Sequence, residues 1–447
     1  MNRLTFPGDA LERLRSRLLE SDLERGAILL AHPVRSPRGA WRLVVSDTVV
    51  IPDADYTRQS SDSLEIPPHI LVPAIKKART DKKAIVLVHT HPWDGHVEPS
   101  PTDLDGEGLV MPTLFQRVPG VPHGRLILGR KDTSAALFEE LQLEMPLQAI
   151  GVGRNVTFAP TLAQGAEFDN VFDRQVRAFG DAGQARLARL AVAIVGLGGT
   201  GSVVAQQLAH LGVRTFLLID PDVVEQSNLN RVVGATDSDI GHAKVRVTER
   251  MIHRISPGAD VVAVQEDVVT DQTARWILAA DFFFSCTDTH GSRAVLTQLA
   301  YQYFIPGIDV GVRIDVSDGV VTDIVGRVQM LAPGLACTSC TGLLDPETVR
   351  RDLLTDEQRR EDPYIVGGQA PQPSVITLNT TVAGFAVTMF LGAVTEAPLL
   401  ARHQIMLFNE GVTKSIANTP DPGCIVCSSR GFFGRGDSWP APGRPRS

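Results

Sequence analysis

His89-Thr90-His91-Pro92 and, after a spacer of seven residues, Ser100-Pro101-Thr102-Asp103 bring metal-binding side chains close together in the first half of the chain. In an extended segment, side chains at i and i+2 point the same way, so His89 and His91 share a face. With Asp103 they supply three protein ligands and leave a fourth position for water, the layout of a catalytic zinc. A water held there needs a general base beside it. Glu24, in Leu23-Glu24-Arg25-Gly26 ahead of an apolar run, is the candidate. His96 and His32 read as local loop or surface residues, not ligands.

A second constellation begins at Gly196-Leu197-Gly198-Gly199-Thr200-Gly201, between an apolar strand and a helix. Gly196, Gly198, Gly199 and Gly201 let the backbone turn tightly and approach phosphate, and the following helix N-terminus favours negative charge. Asp220, ending the next strand, is placed for ribose hydroxyls. An NAD-dependent oxidoreductase would begin the same way. The downstream residues separate the two: a polar run from Asp220 through Asn228 to Arg231, then Lys244, then a strand ending in Ser285-Cys286-Thr287-Asp288. Attack of a carboxylate on the α-phosphate of ATP brings anions together, so cations must screen them. Arg231 and Lys244 can do so, and Asp288 can hold magnesium on the phosphates. Hydride transfer needs no such set.

Four of the five cysteines form two C-x-x-C pairs, Cys337/Cys340 and Cys424/Cys427. Together they supply four thiolates to one zinc, a closed and therefore structural site. The fifth, Cys286, follows three phenylalanines and reads as a buried strand-end residue.

These residues need elements to hold them. In the first half, residues 9–21 read as a helix with Leu11, Leu14, Leu18 and Leu19 on one side. Residues 27–30, 41–51, 84–88 and 124–128 read as strands, and 69–80 as a helix. The second half alternates strands at 190–195, 215–219, 261–264 and 282–285 with helices at 201–211 and 243–255, which implies a mostly parallel sheet. Residues 375–394 are apolar but carry four threonines and an asparagine, so a buried helix is expected and not a membrane span. The fold class is α/β. Residues 1–157 form a mixed α/β domain, 158–168 a linker, 169–427 a Rossmann-like domain, and 428–447, rich in Gly, Pro, Ser and Arg, a disordered tail. The chain of 447 residues carries a net charge of −8, which gives no electrostatic case for nucleic acid or anionic membrane. The N-terminus has no apolar segment of the secretory kind, so a cytoplasmic protein is expected.

The H-x-H-P-x7-S-x-x-D string resembles the JAB/JAMM metalloprotease family over about residues 5–150. That resemblance implies that His89, His91 and Asp103 bind zinc, that Glu24 activates water, and that Ser100 helps stabilise an oxyanion. It also implies cleavage of peptide or isopeptide bonds after the C-terminus of a ubiquitin-like protein. Residues 169–427, with the glycine turn, Asp220, Asn228, Arg231, Lys244 and Asp288 at matching spacing, resemble the ubiquitin-activating-enzyme superfamily, including its ThiF/MoeB-type members. Asp173 to Gly180 resembles the family's opening helix, whose arginine reaches ATP in the other subunit. By that resemblance Arg174 takes this role and the protein is a homodimer. Val232 departs from the family, which often has glutamine there. Many relatives carry a reactive cysteine after the first zinc pair, and residues 341–373 contain none.

Jointly these readings imply a bifunctional enzyme. One half trims or deconjugates a ubiquitin-like protein, and the other adenylates its C-terminal glycine, using ATP, magnesium and one catalytic and one structural zinc. With no loop cysteine, the adenylate passes to a thiol-bearing conjugating protein or a sulfur donor. The alternatives are sulfur-carrier activation for cofactor, tRNA or natural-product synthesis, and a non-catalytic dimeric scaffold.

Overall fold

The computed structural model describes residues 1–141, 143–160, 170–355, 357–358, 373–441 and 443–444. The chain divides into two compact units: Met1–Gly165 with Gln302–Phe304 and Gly434–Pro440, and Ala166–Tyr301 with Ile305–Phe433 and Ala441–Ser447.

The first unit runs β1 (Asn2–Pro7), α1 (Ala10–Leu18), β2 (Gly26–Arg35), β3 (Trp41–Val50), α2 (Pro68–Asp81), β4 (Ala84–His91), α3 (Pro101–Arg117), β5 (His123–Gly129), β6 (Thr133–Phe138), β7 (Glu144–Val152) and β8 (Val156–Phe158). The strands order as β1-β3-β2-β4-β5-β6-β7-β8, and β1 also pairs with β7. Period-two alternation divides β2, β4 and β6 between two cores. Ala84, Val86 and Val88 of β4 join Leu11, Leu14 and Leu18 of α1. Ile85 and Leu87 face Ala74 and Ala78 of α2 and Met111 and Leu114 of α3. Continued along β4, the same alternation puts His89 and His91 on the α2/α3 side.

In the second unit, α4 (Asp173–Arg189) precedes β9 (Ala191–Val195), α5 (Gly199–His210), β10 (Thr215–Ile219), α6 (Lys244–Ile255), β11 (Asp260–Val264), α7 (Asp271–Ala274), β12 (Phe282–Ser285) and α8 (His290–Gln302). The unit continues with β13 (Gly307–Ser317), β14 (Val320–Leu331), α9 (Pro346–Asp352), α10 (Ile376–Val394), β15 (His403–Leu407) and β16 (Val412–Ser415). Its sheet orders as β11-β10-β9-β12-β13-β14-β15-β16. Pairing is parallel from β11 through β13 and antiparallel beyond. Helix α10 is long and apolar enough to cross a membrane by length and composition. It packs on α5 and β13, and Phe390 meets Phe282 at a ring separation of 4.9 Å.

Several sequence expectations change. Helix α1 stops at Leu18, with Leu19 as its cap. Strands β1, β6, β7 and β8 and the antiparallel β13–β16 region were not foreseen. Of the expected linker, Phe158 closes β8 and Ala159 is buried, while 161–168 lie outside the described residues. The expected disordered tail is folded through residue 441. A 3-10 turn, Gly436–Ser438, lies on β2, and Gln302 donates to the carbonyls of Gly436 at 2.8 Å and Trp439 at 3.1 Å. Residues 445–447 lie outside the described residues. His32, expected at the surface, is buried on β2, where Gly436 packs against its side chain.

Candidate functional sites

In the first unit, α3 begins with a capping box. The Asp103 amide donates to the Ser100 hydroxyl at 3.1 Å, and the Ser100 amide donates to Asp103 Oδ2 at 2.7 Å. The box turns the Asp103 carboxylate toward β4, where His89 Nε2 and His91 Nε2 each lie 3.1 Å from one of its oxygens. Tetrahedral zinc separates nitrogen and oxygen ligands by roughly 3.3 Å, so the three donors fit. Burial opposes ionisation of Asp103, but hydrogen bonds from His89 and His91 hold its carboxyl well below the usual range. Trp93 stacks on His91 at 4.3 Å.

Glu24 precedes β2 and is fixed by its own backbone. Its amide donates to the Ser60 carbonyl at 2.8 Å, and its carbonyl accepts from Gln59 at 2.9 Å. The carboxyl is buried 3.6 Å from His91 Nε2, and Oε2 has no hydrogen-bond partner. By themselves, burial and the Asp103 carboxylate push it up to about 8. A divalent cation on the three ligands would oppose that rise. Ser100 Oγ accepts a hydrogen bond as the helix cap and keeps its own proton to donate. His96 is exposed and hydrogen-bonded through Nδ1 to Asp132 at 2.6 Å.

In the second unit a cavity of about 470 Å³ crosses the C-terminal ends of β10, β9 and β12 and reaches Val310–Val312 within β13. Gly196, Gly198, Gly199, Asp220, Arg231, Lys244 and Asp288 line it, as the sequence predicts. Gly196 has φ +84°, and a Cβ there would meet the Cys286 carbonyl at 2.7 Å, so only glycine fits. Asp220 is buried and braces the turn through the Leu197 amide at 2.6 Å. Burial raises its carboxyl above the usual range. Each oxygen keeps a lone pair for a ribose hydroxyl. Lys244 Nζ lies 2.8 Å from Asp222. Arg231 is half-buried in the cavity wall, its guanidinium steadied by the Ser227 carbonyl at 2.6 Å.

Three expected residues are not among those lining the cavity. Gly201 packs within α5, where a Cβ would collide with the Gly196 carbonyl at 1.8 Å. Asn228 is buried as a local cap, accepting from the Glu225 amide at 3.3 Å. The polar run suited a ligand and a turn equally well, and the turn takes the side chain. Arg174 is exposed on α4 outside the cavity of its own chain. Among the lining residues that the sequence reading does not single out are Asn379 and Arg293. Asn379 enters from α10, where a Cβ on Gly199 would meet its Nδ2 at 2.3 Å. Its signal was one asparagine in an apolar helix. Arg293, on α8, lies five positions after Asp288. Burial and the nearby Asp309 hold the Cys286 thiol well above its usual range, which disfavours a nucleophilic role.

Cys337 and Cys424 sulfurs lie 3.6 Å apart, and Cys340 and Cys427 sulfurs 3.4 Å. Zinc with four thiolates separates them by roughly 3.8 Å, so the cluster fits that ion. The amides of Cys340, Asp421 and Val426 point at Cys337, Cys340 and Cys424 sulfurs at 3.4, 3.5 and 3.4 Å, which favours thiolates.

A model of the ThiF family matches residues 172–424. The SAMP-activating enzyme E1 of Haloferax volcanii is 29% identical over 177 residues, 40% of this chain and 61% of that protein. Ubiquitin-like modifier-activating enzyme 5 of Oryza sativa is 27% identical over 187 residues, 37% of this chain and 42% of that protein. The sulfur carrier protein ThiS adenylyltransferase of Escherichia coli is 34% identical over 111 residues, 25% of this chain and 44% of that protein. The chain thus spans about half the length of these relatives.

Proposed function

The chain belongs to the ThiF family, and from that premise we propose that its second unit is an E1-like adenylyltransferase acting on the C-terminal carboxylate of a ubiquitin-like or sulfur-carrier protein. The cavity carries this reading: cations Arg231 and Lys244 and the carboxylate Asp288 surround a glycine turn built for phosphate. The names of the relatives, which activate such modifiers and carriers, agree with it. Magnesium held by Asp288 would supply charge neutralisation at the phosphates. Arg231 and Lys244 screen the carboxylate from the phosphates as it approaches. Arg174 completes the site from the partner in a homodimer. Outside the zinc cluster the chain has one cysteine, Cys286, half-buried in the cavity wall with its thiol raised by burial, so the acyl adenylate is consumed by an outside nucleophile, a thiol protein or a sulfur donor. The test is pyrophosphate exchange dependent on the carrier protein. Unchanged exchange in Asp288→Ala would remove the assignment. A thiocarboxylate on the carrier, detected by mass spectrometry, would select sulfur transfer over conjugation.

A second reading concerns the first unit. The convergence of His89, His91 and Asp103 beside buried Glu24 supports a zinc metalloprotease of JAB/JAMM type. Zinc there would supply Lewis acidity toward water and the scissile carbonyl. Glu24 takes the proton of the attacking water and returns it to the leaving amine, and Ser100 donates to the oxyanion. The substrate would be a precursor or conjugate of the same carrier, and tethering keeps the product near the site that activates it. Cleavage of a carrier extended past its C-terminal glycine tests this. Equal cleavage by Glu24→Ala would overturn it. A dimeric scaffold would be the remaining reading if the chain bound neither zinc nor ATP.

A further inference from the structure

The cavity of the second unit is longer than its nucleotide end. The ribose and phosphate positions, Asp220 and Gly196, follow β10 and β9; Asp288 follows β12; Val310 and Gly311 belong to β13. Neighbouring strands lie about 4.8 Å apart, so the wall extends about 14 Å from β10 to β13. A nucleotide whose ribose is at β10 and whose phosphates are at β9 leaves the β13 end for its reaction partner.

Arg293 closes that end. Its guanidinium reaches from α8 to β13, where Nη2 would stand 3.0 Å from a Cβ on Gly311. The side chain is 14% exposed. Among the described residues its one ion-pair partner is Asp309, 3.5 Å from Nε, and Nε has no hydrogen bond. Asp309 is fully buried and already committed. Its Oδ1 accepts from Arg327, and its Oδ2 accepts from the Ser285 hydroxyl at 3.0 Å. Burial and the nearby Arg327 lower His403 to about 4, so it adds no charge. Two guanidinium groups therefore share one carboxylate, and the outer one faces the cavity with its fork free. A buried, half-compensated cation is costly unless an anion completes it.

We propose that Arg293 receives the carboxylate that attacks ATP, binding and orienting the C-terminus of the peptide substrate. The inference rests on the adenylation reading. In that step a carboxylate oxygen forms a bond to the α-phosphorus. The bond from that phosphorus to the bridging oxygen breaks, and pyrophosphate leaves with the electron pair; no proton is transferred. The planar fork of Arg293 matches a carboxylate at two points, and Gly311, lacking a side chain, leaves the approach open.

The experiment uses the full chain with saturating magnesium and AMPPNP. A fluorescein-labelled hexapeptide ending in Gly-Gly is compared, as free acid and as C-terminal amide, by anisotropy. The wild type should prefer the acid at least about tenfold, the size of one charged hydrogen-bond pair. Arg293→Ala should erase the preference while the chain still binds AMPPNP, since the glycine turn, Arg231 and Lys244 that face the phosphates are intact. If Arg293→Ala does not fold, Arg293→Lys carries the test: it keeps the charge without the fork and should lose most of the preference. Preference retained in the variants, or absent in the wild type, overturns the proposal. So does a folded Arg293→Ala chain that loses AMPPNP binding, which would make Arg293 a phosphate ligand. A wild type that binds no AMPPNP fails the adenylation reading itself.

Discussion

Asp220 holds the Leu197 amide at 2.6 Å through one oxygen and the Asp222 amide at 2.8 Å through the other. One buried carboxylate thus ties the glycine turn after β9 to the loop after β10. Asp220→Asn keeps the shape but turns an NH2 toward one of these donors. A lost charged hydrogen bond plus an unmet donor costs about 2–3 kcal/mol. The expected result is at least tenfold weaker AMPPNP binding by calorimetry, with the fold retained. Unchanged affinity would mean that the turn does not depend on this brace.

Metal content separates the two candidate zinc sites. We expect two zinc ions per chain, one on the three ligands of the first unit and one on four thiolates. Asp103→Ala should remove one ion and leave Tm nearly unchanged, because α3 keeps most of its packing. Cys337→Ser should remove the other and lower Tm by at least about 5 °C, since a closed thiolate site contributes to folding. Dilute chelator should strip the three-ligand site first. Two ions retained in either variant would refute the placement that the variant tests.

Much of the first site was legible because its determinants are local. The alternation of β4 carries His89 and His91 onto the face of α3, and the Ser100-to-Asp103 spacing is itself a helix start. Strand β1 was not legible, because its partner β7 stands far away in sequence, with Asn2 opposite Leu147. The C-terminal segment misled for a different reason. Its Gly and Pro content reads as solvated chain, yet buried Phe432 and the Tyr303–Asp437 hydrogen bond at 2.9 Å accompany an ordered path. Spacing placed Arg231 and Lys244 well, since both flank a fixed loop. It failed for Asn228, because a cap and a ligand require the same residue type.

His123 makes the first unit sensitive to acid. It is fully buried on β5, its Nδ1 accepts the Ile85 amide at 3.2 Å, and its Nε2 faces the Val118 carbonyl at 3.3 Å. Burial lowers its pKa from 6.5 to about 4. A depressed folded-state pKa means that the unfolded chain binds the proton first. Its stability contribution is therefore full above about 6.5 and is lost as pH falls toward 4, by about 3 kcal/mol. Hydrogen exchange across β4 and β5, corrected for intrinsic rates, should reveal cheaper opening at pH 4.5 than at pH 7. Equal opening free energies would contradict this.

Subunit mixing tests the role assigned to Arg174. That side chain is exposed on α4, outside its own cavity, whereas Asp288 lines the cavity. If Arg174 acts across a dimer, Arg174→Ala and Asp288→Ala should each be inactive in pyrophosphate exchange when alone. In a mixed dimer, the Arg174→Ala chain has an intact cavity and receives an intact Arg174 from its neighbour. Random pairing of equal amounts makes half of the dimers mixed, each with one complete site. Activity should then return to about a quarter of the wild-type level after subunit exchange. A mixture that stays inactive after exchange has been verified would place Arg174 outside the partner's reaction. Recovery would also distinguish shared sites from a chain that adenylates alone, since a self-contained Asp288→Ala defect has nothing to gain from a neighbour.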